Sequence, residues 1–438
     1  MIKRILSLCM ALLAAAGASA QQDARIGRTE AVPYDMRHDA EARNLAASGH
    51  TLAFRPETTI TAEGPLCAVM EQQTEIPYVW TDGCVYLHIE NAPTAYALWV
   101  NDRSVAEVDD PLTPAEFDLS PYIRQGTNDF KLLMFNDRGR LDASDPVRRE
   151  EFEGSYLYYQ NKRSIRDFRI ALVPDSLGRN FAMLDLQIVA QNMFNYDEKV
   201  EVGYDIYSPQ GKLLEFDIRE TVIPGRSADT VRFSPFIYHA YENKWEPSAK
   251  NPPLYKVMLF TRRDGTYKEY MPLKIGFGPA EFADGRFTRF GKPLQLNIAR
   301  YNAAADAKTT AAQLQTLRKQ GYNTLAPDYP QPEWFYGLCD QLGLQVIDRA
   351  NIHAPEQRDN RRVGGTPSND PALADEYLER VQAMYYRSRN HTCVIAYALG
   401  GEAGNGYCMY KAYQWLKEAE PSRPVICADA DGEWNTDL

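Results

Sequence analysis

One glutamate in a glycine-rich run has the clearest catalytic chemistry in this sequence of 438 residues. Glu402 lies in the run Leu399-Gly400-Gly401-Glu402-Ala403-Gly404-Asn405-Gly406, directly after an apolar stretch that predicts a β-strand. A carboxyl group at the carboxyl end of a barrel strand is well placed to donate and accept a proton. Taken alone, the glutamate also fits a solvated loop carboxylate or an acid in the first turn of the next helix.

The cysteines and histidines show no metal-binding pattern. None of the cysteines has C-x-x-C spacing, and the six histidines are scattered along the chain. Cys67 and Cys84 are the only pair that we consider for a disulfide, and free buried thiols are an equally good interpretation. The spacing therefore predicts no metal centre and no cofactor.

Strands and helices alternate from about residue 293 onward. Strands are predicted at 294–299, 322–325, 344–347, 393–399 and 424–428, and helices at 309–320, 333–342, 371–386 and 407–418. This alternation indicates βαβ units and a parallel sheet. A closed (β/α)₈ barrel needs eight strands and roughly 250 residues. We therefore predict an incomplete TIM barrel over 281–438, containing about strands one to five.

The preceding part of the chain has the alternation of apolar and polar residues that is typical of half-buried strands. The clearest cases are 85–89, 96–100, 128–135, 183–190, 200–207 and 254–261. Short strands separated by turn residues favour sandwich folds. We predict a jelly-roll domain over 21–172 and an immunoglobulin-like β-sandwich over 173–280.

The composition is that of an acidic globular protein. Lys and Arg number 48 against 59 Asp and Glu, which gives a formal charge of −11. An acidic chain without blocks of basic residues is poorly suited to phosphate backbones, so nucleic acid is excluded as a partner. Whether the protein forms a homo-oligomer is left open.

The first 20 residues have the features of a secretory signal peptide. Lys3 and Arg4 precede the apolar run from Ile5 to Ala16, and Ala18-Ser19-Ala20 resembles a cleavage site. The apolar run is shorter than the ~20 residues that span a bilayer, and no later stretch is longer. We therefore expect a periplasmic or secreted bacterial protein without a membrane span.

The surroundings of Glu402 resemble a known catalytic signature. Residues 389–406, RNHTCVIAYALGGEAGNG, are similar to R-N-H-P-S-V-I-x-W-S-L-G-N-E-A-G-N-G, the acid/base signature of glycoside hydrolase family 2, β-galactosidase branch. Residues 334–352 resemble the family's W-Y-x-L-C-D-x-x-G-L-Y-V-I-D-E-A-N-I, and residues 113–122 its T-P-A-E-F-D-I-T-P-Y. The resemblance covers nearly the whole mature chain in the right order.

This resemblance implies a retaining glycosidase that acts on a β-galactoside-type glycan. Such enzymes use two carboxyl groups about 5–5.5 Å apart, one as nucleophile and one as acid/base. Glu402 matches the acid/base, which is expected to be enclosed and kept protonated by a neighbouring charge. Substrate contacts are expected at the positions of Gly401, Asn161, Asn405 and Asp328.

Several positions depart from the family's pattern. Gly401 replaces an Asn that hydrogen-bonds the sugar 2-hydroxyl, Asn161 replaces an Asp, and the segment around Asp328 lacks an Arg and a His. The family nucleophile is a Glu at the end of barrel strand seven, and the sequence ends at Leu438 before that position. We therefore expect the nucleophile to be absent.

The family's divalent-cation site is also expected to be lost. The acid and the His that hold this cation correspond to His353 and Pro355. We accordingly predict no metal ligands and no bound cofactor.

Three interpretations remain open. The chain is a hydrolase that is inactive on its own through the loss of its nucleophile, a non-catalytic exported carbohydrate-binding or scaffold protein, or a truncated fragment. Aromatic residues of the β domains that could stack on sugar rings, with core packing as the other interpretation, are Trp80, Trp99, Tyr156, Tyr158 and Tyr159.

Overall fold

Two β-sandwiches precede a parallel sheet with helices. The computed structural model describes residues 27–43, 50–173, 181–247, 249–278, 280–362 and 364–438. The predicted signal peptide lies outside the described residues. Within the described ranges, no helix is both long enough and apolar enough to cross a lipid bilayer.

The first sandwich packs a four-stranded sheet, in the order β1-β9-β4-β7, against a five-stranded sheet, in the order β2-β3-β8-β5-β6. Its strands are β1 Thr51–Ala53, β2 Glu57–Thr61, β3 Leu66–Ile76, β4 Cys84–Ile89, β5 Ala95–Val100, β6 Arg103–Val108, β7 Ala115–Asp118, β8 Gly126–Phe135 and β9 Tyr156–Gln160. Alternate side chains of both sheets, Leu87, Leu98 and Leu132 among them, are buried between the sheets.

The second sandwich pairs the sheet β10-β11-β14, in which β15 also pairs with β11, with the sheet β13-β12-β16-β17. Its strands are β10 Arg163–Leu172, β11 Phe181–Asn192, β12 Glu198–Tyr207, β13 Leu213–Ile223, β14 Ser227–Phe233, β15 Phe236–Tyr238, β16 Tyr255–Arg263 and β17 Thr266–Ile275. The predicted boundary at residue 172/173 is too late, because β10 pairs with β11 and so belongs to the second sandwich.

The parallel sheet follows the chain order β21-β22-β23-β24-β25. Its strands are β21 Ile298–Arg300, β22 Thr324–Ala326, β23 Gln345–Arg349, β24 Val394–Ala398 and β25 Val425–Ile426. The strands are joined by four helices, α2 Ala307–Lys319, α3 Glu333–Leu342, α4 Ala374–Ser388 and α5 Tyr407–Ala419. A separate helix, α1 Arg37–Ala42, lies near the N-terminus. This is the in-order parallel arrangement of a (β/α) barrel, with five strands in the described residues.

Local signals fix the ends of these helices. The side chain of Asp306 caps α2 by accepting from the backbone N–H of Thr309 (2.8 Å). Helix α3 ends at Gly343, whose φ of 70° lies in the left-handed region that glycine tolerates. Short 3₁₀ helices span Tyr78–Asp82, Ala240–Asn243, Pro367–Asn369 and Pro371–Leu373.

A small antiparallel sheet covers the face of the parallel sheet that the helices leave free. Its strands are β18 Glu281–Ala283, β19 Arg286–Arg289 and β20 Lys292–Pro293. Phe282 and Phe287 from this sheet pack against Ile347 and Ala396 of the parallel strands. Both faces of the parallel sheet are therefore covered, as its apolar sequence requires.

Buried ion pairs join the first sandwich to helix α4. The Arg387 guanidinium contacts the Glu90 carboxylate (Nη2 to Oε1, 2.5 Å), which also lies 3.0 Å from His88 Nε2. On the same helix, Arg380 contacts Asp142 (2.7 Å) and donates to the backbone oxygen of Asn351 (2.7 Å). A buried charge is stable only when it is paired, so these contacts fix the two domains in one arrangement.

The cysteines of the described chain carry free thiols. Cys67 lies on β3 and Cys84 on β4, in different sheets, and neither forms a disulfide. The disulfide considered for this pair is therefore wrong, and the free-thiol interpretation is confirmed.

Candidate active site

The carboxyl ends of the parallel strands bring polar side chains to one edge of the sheet. Asn302 follows β21, Asp328 follows β22, Arg349 ends β23, and Glu402 follows β24. Because neighbouring strands run in the same direction, their carboxyl ends meet at the same edge, where barrels carry their active sites. Asp328 and Glu402 therefore share the end of the sheet that the sequence predicts for them.

Asp328 is the centre of a hydrogen-bonded group at this edge. Its Oδ1 accepts from Arg300 Nε (2.6 Å) and from Arg349 Nη1 (3.2 Å), and its Oδ2 accepts from Asn302 Nδ2 (3.0 Å). Its backbone N–H donates to Asn302 Oδ1 (2.8 Å). Two guanidinium groups and an amide therefore donate to this carboxylate, and both of its oxygens already accept hydrogen bonds from the protein.

Glu402 has a left-handed backbone and an exposed side chain. Its φ is 51°, a conformation that costs a residue with a Cβ roughly 1–2 kcal/mol and that is frequent at functional sites. The loop is held by backbone bonds, since Ala354 N–H donates to the Glu402 carbonyl (3.2 Å) and Gly401 N–H to the Ile352 carbonyl (2.9 Å). The carboxyl group itself is exposed rather than enclosed by the described residues, which corrects the expected enclosure.

Arg349 fills the space beside Gly401. A Cβ placed on Gly401 would lie 2.8 Å from Arg349 Nη1, closer than a Cβ atom can pack. Burial lowers the pKa of Arg349, while the carboxylates of Asp328 and Glu402 act in the opposite direction. The Arg349 Nε is buried and has no hydrogen-bond partner within the described chain. The glycine and the arginine therefore form a matched pair.

Sequence comparison with the family motif missed this arginine. The motif V-I-D-E-A-N-I has a Glu where this chain has Arg349, so the signal was a reversed charge within a stretch that otherwise matches. Because Arg349 contacts both Asp328 and the space at Gly401, it links the strand ends on which the other candidates lie.

Two of the predicted substrate contacts lie in other surroundings. Asn405 is fully buried, its amide bonded to Asn435 (3.2 Å) and its oxygen accepting from Asn435 Nδ2 (2.9 Å), so it has no surface to offer a sugar. Asn161 lies in the turn between β9 and β10, where its oxygen accepts from the Tyr159 hydroxyl (3.1 Å). No hydrogen bond joins Asn161 to the Asp328 group in the described ranges.

The residues at the implied cation site do not fit a divalent cation. His353 Nδ1 donates to the Gly401 carbonyl (3.1 Å), and Pro355 has no side-chain ligand. In the described residues, the groups with metal-ligand spacing lie elsewhere, around Asp340 with His391 and around His88 with Glu90. The hydrogen bond from His353 instead holds the backbone of the loop that contains Glu402.

Most of the aromatic residues proposed for sugar stacking are buried. Trp80, Tyr156 and Tyr158 are at most 9% exposed, and Tyr159 stacks on His50 at 5.5 Å between ring centroids. For these four residues the core-packing interpretation fits. Trp99 differs, because it is partly exposed on the outer face of a sheet.

Comparisons with known proteins match the chain to one family. Residues 299–437 match the domain described as glycosyl hydrolases family 2, TIM barrel domain, and residues 25–147 match the glycosyl hydrolases family 2, sugar binding domain. A β-galactosidase of Vibrio cholerae is 28% identical over 348 residues, or 76% of this chain and 33% of the relative. A β-galactosidase of Pectobacterium atrosepticum is 28% identical over 350 residues, with the same two coverages. The chain thus spans about a third of the length of these curated relatives.

Solved structures share the fold. A glycosyl hydrolase family 2 member from Bacteroides cellulosilyticus superposes with a TM-score of 0.68 at 19% identity, covering 83% of this chain and 50% of that one. The β-glucuronidase of Bacteroides uniformis gives a TM-score of 0.69 at 18% identity, covering 82% and 46%. These likenesses confirm a multi-domain β plus α/β architecture.

Proposed function

This chain is a member of glycosyl hydrolase family 2, and we propose that the edge of its parallel sheet is the proton-donor part of a retaining β-glycosidase site. In this proposal Glu402 is the general acid and base. It protonates the leaving oxygen of a β-linked sugar and later takes a proton from water.

The position and backbone of Glu402 carry this proposal. The residue follows the fourth parallel strand, its φ is 51°, and its carboxyl group faces solvent at the edge where barrels bind substrates. A glycine would relieve the left-handed strain, so a glutamate in that conformation favours a role in chemistry over a role in folding.

We also propose that this polypeptide does not turn over substrate by itself. Asp328 is held by Arg300 and Arg349, and Asp429, which follows β25, accepts from the backbone N–H groups of Ala403 and Gly404 (both 2.8 Å). A nucleophilic carboxylate must be free to approach the anomeric carbon. Neither of these two carboxylates is free to act as the nucleophile.

The substrate class that we propose is a β-linked glycan of the galactoside type. The curated relatives are named β-galactosidases, whereas some structural neighbours are named β-glucuronidases. The exchange of the motif's Glu for Arg349, next to Gly401, changes the charge of the pocket edge. Testing both sugar types is therefore part of the experiment.

Hydrolysis and covalent trapping test the proposal together. We expect no release of nitrophenol from nitrophenyl β-galactoside or β-glucuronide above the buffer rate. We also expect no mass increase after incubation with 2-deoxy-2-fluoro-β-galactosyl fluoride, which labels a nucleophile. Turnover that the substitution Glu402→Gln leaves unchanged would contradict the acid assignment, and a labelled carboxylate would contradict the missing nucleophile.

A non-catalytic carbohydrate-binding or scaffold protein is the second candidate. It is favoured by the neutralised Asp328 group and by the buried ion pairs of Arg380 and Arg387, which preserve the domain arrangement without serving catalysis. Glycan binding in the absence of turnover, and independent of Glu402, would select this candidate.

Export is a further part of the proposal. The features of residues 1–20 support a cleaved signal peptide. Expression in a Gram-negative host, followed by fractionation and mass spectrometry, should give a periplasmic protein that begins at Gln21. A cytoplasmic product that retains Met1 would contradict this proposal.

A further inference from the structure

We propose that the outer face of the five-stranded sheet of the first sandwich is a binding groove for a neutral glycan, built around Trp99. This site is separate from the edge that carries Glu402, and it does not depend on hydrolysis.

The groove is a surface feature of strands β3, β5 and β8. It has a volume of about 390 Å³, within the range of ligand sites of roughly 300–1,000 Å³. Residues that face outward from its floor and rim are Glu71, Gln73, Trp99, Asp129, Lys131 and Leu133. The strand register places Trp99 opposite Lys131, and Lys131 opposite Glu71, so these side chains form one row across three strands.

Trp99 provides a flat apolar surface in this groove. It packs with Ala97 and Leu133 in a small apolar cluster on the outer face, remote from the core between the two sheets. Its indole nitrogen is buried without an acceptor within the described chain, while part of the ring is exposed. The C–H face of a pyranose ring packs well against such a ring.

Polar side chains surround this surface. Gln73 Nε2 donates to Asp129 Oδ1 (2.8 Å), and Lys131 Nζ lies 3.4 Å from Glu71 Oε1. The side chains of Glu71, Lys131 and Asp129 are 42%, 41% and 54% exposed, so their remaining donors and acceptors face solvent. A polyol can exchange its water contacts for these groups.

The charge of the rim selects the ligand class. Glu71, Asp102 and Asp129 line the groove against a single lysine, with Arg124 3.6 Å from Asp129. The balance is acidic, so a uronate or a sulfated glycan would be repelled. The site therefore fits a neutral glycan made of pyranose units.

The groove also faces away from the rest of the molecule. Contacts to the other domains are made on the side of the opposite sheet, which contains β4, β7 and β9, by Glu90 with Arg387 and by Glu116 with Arg166. A polysaccharide bound at Trp99 would therefore leave the edge of the parallel sheet accessible.

Affinity electrophoresis with the full chain tests this inference. The probes are soluble β-1,4-galactan, galactomannan and hydroxyethyl cellulose as neutral glycans, with polygalacturonate as the acidic control. We expect at least one neutral glycan to retard the protein and polygalacturonate to have no effect. Retardation by none of the neutral glycans, or by polygalacturonate alone, would overturn the proposal.

Substitutions locate the bound glycan. Trp99→Ala should weaken binding at least tenfold, while Trp434→Ala, which removes a tryptophan that is 55% exposed on another domain, should leave it unchanged. Gln73→Ala and Asp129→Ala change exposed side chains and should each weaken binding several-fold, which keeps the test valid if Trp99→Ala fails to fold.

Other outcomes separate this site from the proposed active site and from a protein partner. Binding that Glu402→Gln abolishes and that the Gln73 and Asp129 variants preserve would assign the glycan to the sheet edge and overturn the groove. Saturable binding of a protein at Trp99, without any glycan binding, would overturn it as well.

Discussion

Charged groups are buried and paired at the junction between the first sandwich and helix α4, whereas the edge of the parallel sheet has an exposed carboxyl group. At the junction, Arg387 is only 3% exposed and is paired with Glu90 and Glu30, with Glu90 also beside His88. At the sheet edge, Glu402 is exposed, and its backbone lies in the left-handed region.

The charged groups of the junction hold the fold together, whereas the exposed carboxyl group at the sheet edge is available for chemistry. Burial raises the pKa of the Glu90 carboxyl, yet the charges of Arg387 and His88 overcome it and hold that pKa at about 2. The Arg387–Glu90 pair thus stays ionised at ordinary pH, which stabilises one domain arrangement. At the sheet edge, the carboxyl group of Glu402 is exposed, whereas the carboxylates of Asp328 and Asp429 accept hydrogen bonds from the protein itself.

Removing Arg387 should produce the largest effect. Arg387→Met leaves the largely buried carboxylates of Glu90 and Glu30 without their guanidinium partner, and breaking such a pair typically costs about 3–5 kcal/mol. Urea unfolding should show this loss in the free energy of unfolding. The control Arg286→Met changes an exposed residue and should cost less than about 0.5 kcal/mol. A loss of less than about 1 kcal/mol in the free energy of unfolding of Arg387→Met would contradict the role of this ion pair in holding the junction.

Glu269 on β17 is an exception to the paired charges, and its replacement should have a pH-dependent effect. Burial raises the pKa of this carboxyl from 4.5 to about 8, although the backbone N–H of Ile165 donates to it. The side chains of Gln160 and Thr261 also interact with this carboxyl and act against burial, but burial has the larger effect on its pKa. We expect Glu269→Gln to stabilise the protein at pH 8 and to have little effect at pH 4.5.

The sign follows from proton binding. Between pH 4.5 and 8 the unfolded chain loses the Glu269 proton while the folded chain keeps it, so folding becomes less favourable as pH rises. The cost grows by up to about 1.4 kcal/mol for each pH unit and is constant above the folded pKa. Chemical denaturation of both proteins across this range measures the difference. A difference that does not change with pH would contradict the buried, protonated carboxyl.

The pairing of Gly401 with Arg349 should appear as coupling between two substitutions. Gly401→Asn forces the Arg349 guanidinium out of its place, and overpacking of this kind typically costs about 1–3 kcal/mol. In an Arg349→Ala background the same change should cost less, with a coupling of at least about 0.5 kcal/mol in the double-mutant cycle. Additive costs would show that the arginine does not occupy the space of the missing side chain.

Replacing Glu402 should have the smallest effect, with a stabilising sign. Glu402→Gly relieves the left-handed conformation and should raise the free energy of unfolding by about 1 kcal/mol. Asp431→Gly, at a φ of 52°, is the matched control for relief of backbone strain alone. A loss of stability in Glu402→Gly would mean that this side chain supports the fold rather than a function.

The periodicity of the sequence predicts the secondary structure well where apolar residues repeat. Helix α3, predicted at 333–342, is observed at Glu333–Leu342, and the predicted strand at 200–207 is observed at Glu198–Tyr207. The prediction missed β13, Leu213–Ile223, because its exposed side chains do not alternate. It also misplaced the start of the parallel sheet, since 294–299 contains only the first residues of Ile298–Arg300.

The sequence predicts where the candidate site lies, but not how its side chains are bonded or buried. The glycine-rich run after an apolar strand places Glu402 at the right edge, because strand direction follows from βαβ order. The hydrogen bonds that occupy the Asp328 carboxylate come from Arg300 on β21 and Arg349 on β23. The buried Asn405 is bonded to Asn435, 30 residues away. Such long-range contacts leave no local pattern in the sequence.

Binding of a basic iminosugar of galacto configuration tests the central claim most directly, because its ammonium group mimics the cationic transition state and pairs with a free carboxylate. Calorimetric titration should detect binding to the unaltered chain, at least a fivefold loss in Glu402→Gln, and no change in Glu418→Gln, which alters an exposed glutamate on α5. Equal affinity of the unaltered chain and Glu402→Gln would contradict the assignment of Glu402 as the proton donor, and so would the absence of binding.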